Sequence, residues 1–129
     1  MLNFFKFHNL HLTMSVLIVF FAAIIYGFYP HLFTIFPTSV NELAVLKSIM
    51  GLYFACTTLW VMGLYYQDYW KTATICNAFF MLGLGFGRCI SFLVDGLPSV
   101  FFILGTIGEF VLGFYALLQL KKFNQNKII

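Results

Sequence analysis

The sequence predicts an all-α, polytopic membrane protein: a four-transmembrane-helix up-down bundle with both termini cytoplasmic. Three observations predict it. Of 129 residues, 62% are hydrophobic and only 9% are charged, against roughly 25% charged in soluble domains. Apolar runs long enough to cross a hydrocarbon core of ~30 Å recur along the chain. The lysines outside those runs fall in alternate connections. A water-soluble core of this size could not hide so much apolar surface, of which Phe alone supplies 18 residues. Strands are a poor alternative, because barrel segments alternate apolar with polar residues and these runs are apolar on all sides.

The first span covers about residues 10–29 and ends at Pro30. Its length and the preceding Lys6 suit a signal peptide, but Tyr26, Phe28 and Tyr29 stand where small cleavage-site residues are needed, so it reads as an uncleaved span. A loop with Pro37, Ser39 and Asn41 follows. Asn41 is the expected N-cap of span two (42–66), with Glu42 in the first turn, where negative charge suits the helix dipole. The polar, aromatic run Gln67-Asp68-Tyr69-Trp70-Lys71 reads as an interfacial turn. Span three (72–94) stops at Asp95-Gly96-Leu97-Pro98, where Gly tolerates positive φ and Pro cannot continue a helix. Ser99 caps span four (99–120), and a basic tail (121–129) completes a single membrane domain.

Orientation follows from Lys6, Lys71, Lys121, Lys122 and Lys127, which all belong to one side of a four-span chain. The positive-inside rule puts that side in the cytoplasm. The tail lysines have no periodicity and read as a headgroup-level anchor to membrane lipid, not as a nucleic-acid contact. Cys56, Cys76 and Cys89 lack the spacing of a zinc site and read as buried small hydrophobes. His8 and His11, one turn apart before the first span, have no Cys, Asp or Glu beside them to complete a metal site. Without a mid-span histidine, haem ligation by two histidines is not expected. No cofactor, metal or nucleophile–base pair is predicted, which leans away from an enzyme.

Charge inside the spans is the chemically informative feature. A charged side chain at the bilayer centre costs about 2.5–3.5 kcal/mol on insertion scales, so it faces protein or a watery cavity. At ~1.5 Å rise per residue, Lys47 and Arg88 each lie ~9 Å below the outer surface, and Glu109 lies ~15 Å below it. Asp95 sits at the rim. The expectation is a vertical sequence of alternating charge in the outer half of the bundle. Arg88, Ser91 and Asp95 form one stripe on span three by i+3 and i+4 spacing, and Thr106 lies one turn from Glu109. Glu109 needs Arg88 or Lys47 as partner, or a proton; Arg88, with its planar fork, is the better partner. Ala23/Gly27, Gly51/Ala55 and Gly83/Gly87 are small-x-x-x-small pairs expected to mark close helix seams.

Two segments carry a family resemblance. One is Asn41-Glu42-Leu43 followed by Leu46-Lys47-Ser48-Ile49-Met50-Gly51-Leu52-Tyr53. The other is Gly87-Arg88-Cys89-Ile90-Ser91, then Asp95-Gly96-Leu97-Pro98-Ser99, then Glu109. From about Asn41 to Leu118 the chain resembles bacterial four-helix membrane proteins catalogued as domain of unknown function 4345. That family commonly carries Arg where this chain has Lys47, which keeps the charge and loses the fork. The resemblance implies the architecture, the charged residues and a bacterial inner membrane, and implies nothing about substrate.

The expected function is therefore a small integral membrane protein whose charged outer cavity, built from Lys47, Arg88, Ser91, Asp95, Thr106 and Glu109, binds a small anionic or amphiphilic ligand. The alternative is a structural or accessory subunit of a larger membrane complex or homo-oligomer, with Arg88 and Glu109 as an internal fastener. A proton-coupled transporter would need a dimer, since four spans show no inverted repeat.

Overall fold

The computed structural model describes residues 7–126. A short 3₁₀ turn, Phe7–Asn9, leads into α1 (Leu10–Phe28). A second 3₁₀ turn, Pro30–Phe33, precedes α2 (Val40–Tyr65), α3 (Gln67–Val94) and α4 (Val100–Asn126). All four helices are long and apolar enough to cross a membrane, and no strand occurs among the described residues. This is an all-α, multi-pass membrane protein, in contact with lipid along its outward helix faces. Lys6 and Lys127, which entered the orientation argument, lie outside the described residues. Below, the end of the bundle holding Leu10, Tyr66 and Asn126 is called the terminal end, and the opposite one the loop end.

Local chemistry sets the helix boundaries. Pro30 cannot donate a hydrogen bond to continue α1, and Tyr29 closes the helix by donating to the Ile25 carbonyl (2.9 Å). The start of α2 corrects the expectation for Asn41: the N-cap is Ser39, whose hydroxyl accepts from the Glu42 amide (3.2 Å). Glu42 reaches back in return and accepts from the Thr38 amide (2.6 Å), a variant of the reciprocal S-x-x-E capping box. The stretch 67–71 is also not a turn. Tyr66 alone breaks the chain, in extended conformation (φ −119°, ψ 117°), and Gln67 opens α3. No Pro or Gly stands between 66 and 72 to stop a helix, and Asp68 in the first turn suits its dipole. Past Leu120, α4 runs on to Asn126 for the same lack of a breaker. The turn at Gly96 is as expected, with the glycine at φ 102°.

In lipid the helices gain little from water exclusion, so packing of side chains and close backbone approach hold them together. α1 packs on α2, α2 on α3, and α3 on α4, while α1 and α4 touch over a shorter stretch. Ala23 and Gly27 form a true seam: a Cβ on Gly27 would run into the Met50 side chain of α2. The other two small-residue pairs behave differently. Gly51, Gly83 and Gly87 are exposed, and a Cβ there would meet nothing within 4 Å. Aromatic rings fill the middle. Tyr53 stands edge-on to both Tyr26 (5.7 Å) and Phe80 (5.1 Å), and Trp60 packs on Phe80 (5.1 Å). Such pairs contribute about 0.5–1.5 kcal/mol each beyond their buried area.

Candidate functional site

The inward stripe of α3 is Ala73, Asn77, Met81 and Gly85, all buried, and its continuation by one turn carries Arg88 toward the bundle axis. On α4 the buried stripe is Thr106, Gly113 and Ala116, with Glu109 between them. The two charges meet: Arg88 Nη1 lies 2.9 Å from Glu109 Oε1, with the side chains 23% and 12% exposed. The guanidinium carbon stands 5.5 Å from the centroid of the Phe102 ring, a favourable cation–π distance. Glu109 Oε2 is buried and has no hydrogen-bond partner among the described residues.

This ion pair lies part-way along a cavity of about 490 Å³, with Phe101 and Phe102 lining it on the loop side and Leu112 and Met81 on the terminal side; the volume is inside the size range of small-molecule sites. Its walls are Ile18, Phe21, Ala22 and Ile25 of α1 and Leu104, Gly105, Gly108 and Leu112 of α4, and Met81 and Leu84 of α3 back it. Ile18, Phe21, Phe101 and Leu104 also line it and are each more than half exposed. These exposed lining residues belong to α1 and α4, so the cavity reaches the outer surface of the bundle between those two helices. Two tyrosines complete the polar group. Tyr26 of α1 comes alongside the Arg88 guanidinium, and Tyr53 of α2 packs edge-on against Tyr26. Each of the four helices thus contributes one polar side chain: Tyr26, Tyr53, Arg88 and Glu109.

The remaining residues of the expected site fall elsewhere. Lys47 is exposed and makes no ion pair among the described residues. The inward side of α2 is set by buried Leu46 and Tyr53, so Lys47, about 100° round from Leu46 at 3.6 residues per turn, points out of the bundle. Ser91 and Asp95 bond to one another (Oγ to Oδ2, 2.8 Å) at the exposed end of α3, away from the cavity. Thr106 is buried, but its hydroxyl donates to the Phe102 carbonyl (2.8 Å) and does not line the cavity. The alternating ladder of charge reduces to one ion pair with two phenols. Tyr26 and Tyr53 carried a usable signal, since tyrosines within apolar runs bring a hydroxyl that needs a partner.

A second polar cluster lies in the terminal half. His11, read from the sequence as standing before the first span, belongs to α1 and is fully buried. Its Nε2 lies 3.1 Å from Thr74 Oγ1 of α3. The Thr74 hydroxyl donates to the Trp70 carbonyl (2.8 Å), and the Trp70 indole donates to Asn9 Oδ1 (2.8 Å). Among the described residues no group of His, Cys, Asp and Glu could hold a metal ion.

A sequence profile of the family described as "Domain of unknown function (DUF4345)" matches residues 7–120. No curated protein and no solved structure matches the chain.

Proposed function

Since the chain belongs to the DUF4345 family, whose description assigns no activity, we propose from geometry alone that it is a membrane protein that holds a single-chain amphiphile. The apolar tail lies along α1 and α4, and the head group reaches the Arg88–Glu109 pair. The observation that carries this reading is the cavity itself: apolar in most of its lining, with the Arg88–Glu109 pair set part-way along it and exposed lining residues on both α1 and α4. The pair is neutral overall, and Glu109 Oε2 is free to accept a hydrogen bond. The Arg88 guanidinium carries five N–H donors, more than its contacts with Glu109 Oε1 and Tyr26 use. A head that both donates and accepts, such as a hydroxyl, satisfies both. A free inorganic anion would have to displace Glu109 from Arg88, and Lys47 is not there to help. The reading includes the orientation expected from the positive-inside rule, with the terminal end in the cytoplasm of a bacterial inner membrane. Lys71, Lys121 and Lys122 at that end support it.

The test is photocrosslinking in nanodiscs with a long-chain alcohol carrying a diazirine in its chain. Adducts are expected on Phe21, Ile25, Leu104 and Leu112. Gly108 lines the cavity, and a Cβ there would meet nothing within 4 Å. Gly108→Leu therefore adds bulk on the cavity wall with room for its Cβ, and should remove those adducts. Adducts spread evenly onto outward residues such as Leu52 and Leu93 would defeat the proposal.

One observation favours a second reading, an accessory subunit or homo-oligomer. Gly51 and Gly83/Gly87 are small, outward and unpacked, on neighbouring helices. Small residues let a neighbouring transmembrane helix approach closely. Gly83→Leu would then break an assembly that cross-linking detects in the membrane; an assembly unchanged by it counts against this reading.

A further inference from the structure

Buried polar atoms without partners gather in the terminal half, far from the ion pair. Ser15 Oγ, Trp60 Nε1 and both ends of the Asn77 amide have no hydrogen-bond partner among the described residues. All three side chains are fully buried. They come from α1, α2 and α3, and the register of the helices sets them at one depth. The His11–Thr74 contact aligns the parallel helices α1 and α3, so Ser15, four residues on from His11, is level with residues 77–78. Gly63 abuts Ala73 across the antiparallel pair α2 and α3, so Trp60, three residues before Gly63, is level with residues 76–77. Trp60 also packs on Phe80, one turn beyond Asn77.

The chemistry of these groups is selective. Trp60 offers only a donor, Ser15 a donor and an acceptor, and Asn77 donors at one end and an acceptor at the other. None is charged; His11 lies one turn from Ser15, and the described Asp, Glu, Lys and Arg side chains lie elsewhere. An ion would have no counter-charge here. In a bilayer there is no solvent to satisfy such groups from outside, so each needs an internal partner. A water molecule, which makes about 3 hydrogen bonds in buried sites, matches the mixed donor and acceptor set. A run of polar side chains leads inward from the terminal end. A second cavity of about 330 Å³ at the terminal end is lined by His8, Gln67, Gln119 and Lys122, with Trp70 as part of its wall. Trp70 bonds to Asn9, and its carbonyl accepts from Thr74, which meets His11 one turn short of Ser15.

We propose that Ser15, Trp60 and Asn77 form an internal hydration site, holding bound water between α1, α2 and α3 and filled from the terminal end along His11 and Thr74. It is distinct from the amphiphile cavity. Val19 and Met81, both buried and apolar, lie on α1 and α3 between the Ser15/Asn77 level and the ion pair. The site makes the terminal half of the bundle a water inlet that stops short of the ion pair, while the loop half takes up apolar chains.

X-ray radiolytic footprinting tests this, because radicals formed from bound water modify the side chains that water touches. The probe is water itself, in full-length protein in nanodiscs. Trp60 should be modified several-fold above the unirradiated background despite its burial. In Ser15→Ala/Asn77→Leu, which removes the polar groups and keeps apolar bulk, Trp60 modification should fall several-fold while exposed Tyr66 stays unchanged. A Trp60 that stays at background in the wild type overturns the site, as does equal modification in both proteins. If the double variant does not fold, the wild-type result decides alone.

Discussion

Arg88→Leu removes the cation that stands 2.9 Å from Glu109 and leaves the carboxyl, with its side chain only 12% exposed, facing an apolar cavity. Lys47 is exposed on the outside of α2 and offers no replacement. Removing one partner of a buried pair costs about 3–5 kcal/mol, because the other is left uncompensated. The reciprocal change, Glu109→Leu, should fall at the lower end of that range, ~3 kcal/mol. Arg88 is 23% exposed and sits nearer the loop end, so its long stem can turn the guanidinium toward headgroups and Asp95. The double variant Arg88→Leu/Glu109→Leu removes both charges and puts apolar bulk beside Tyr26 and Phe102. For such replacements the expected change runs from about zero to a gain of 1–4 kcal/mol. The cycle should therefore show a coupling energy of about 6 kcal/mol or more in favour of the pair. Reversible unfolding in mixed detergent and SDS micelles, followed by tryptophan fluorescence, measures all four proteins. Single variants that each lose under ~1 kcal/mol, as exposed pairs do, would refute the placement of the pair. So would a double variant whose loss equals the sum of the singles.

Further outcomes follow from particular contacts. Gly27→Val should destabilise by about 1–3 kcal/mol through overpacking against Met50, whereas Gly83→Ala, facing open space, should be neutral or gain up to ~1 kcal/mol; the same micelle unfolding separates them. Ser39→Ala should cost about 0.5–2 kcal/mol by removing the acceptor for the Glu42 amide, read as earlier hydrogen exchange in the first turn of α2. Lys47→Gln should leave photocrosslinking by the long-chain alcohol unchanged, while Arg88→Gln should reduce it, since only Arg88 lines the cavity. Cysteines introduced at Lys71 and Lys122 should react with a membrane-impermeant maleimide only from the cytoplasmic side.

The parts of this structure that were legible in the sequence are those that apolar length and opposite charge decide. Span number follows from apolar length. The Arg88–Glu109 pair follows from two opposite charges buried on consecutive spans joined by a tight turn. What needed coordinates is what depends on rotation about a helix axis. Lys47 and Arg88 share a depth, yet Leu46 turns inward and carries Lys47 out. Gly51 and Gly83 have the spacing of a seam, but of the three expected pairs Ala23/Gly27 is the one whose glycine meets a neighbouring helix. Tyr26 sits near the end of an apolar run, where an interfacial anchor and a cavity ligand look alike. The segment 67–71 has the composition of a turn but none of the residues that stop a helix, and α3 simply begins there. Asn77 and Ser15 are single polar residues in apolar spans, and their common depth appears only once His11 meets Thr74.

Native mass spectrometry of the protein ejected directly from membrane vesicles tests the central claim most directly. The wild type should carry a retained single-chain amphiphile, and Gly108→Leu, with bulk added on its cavity wall and its ion pair intact, should fly without it. A wild type free of any such adduct, or a Gly108→Leu protein that keeps it in full, would contradict the account.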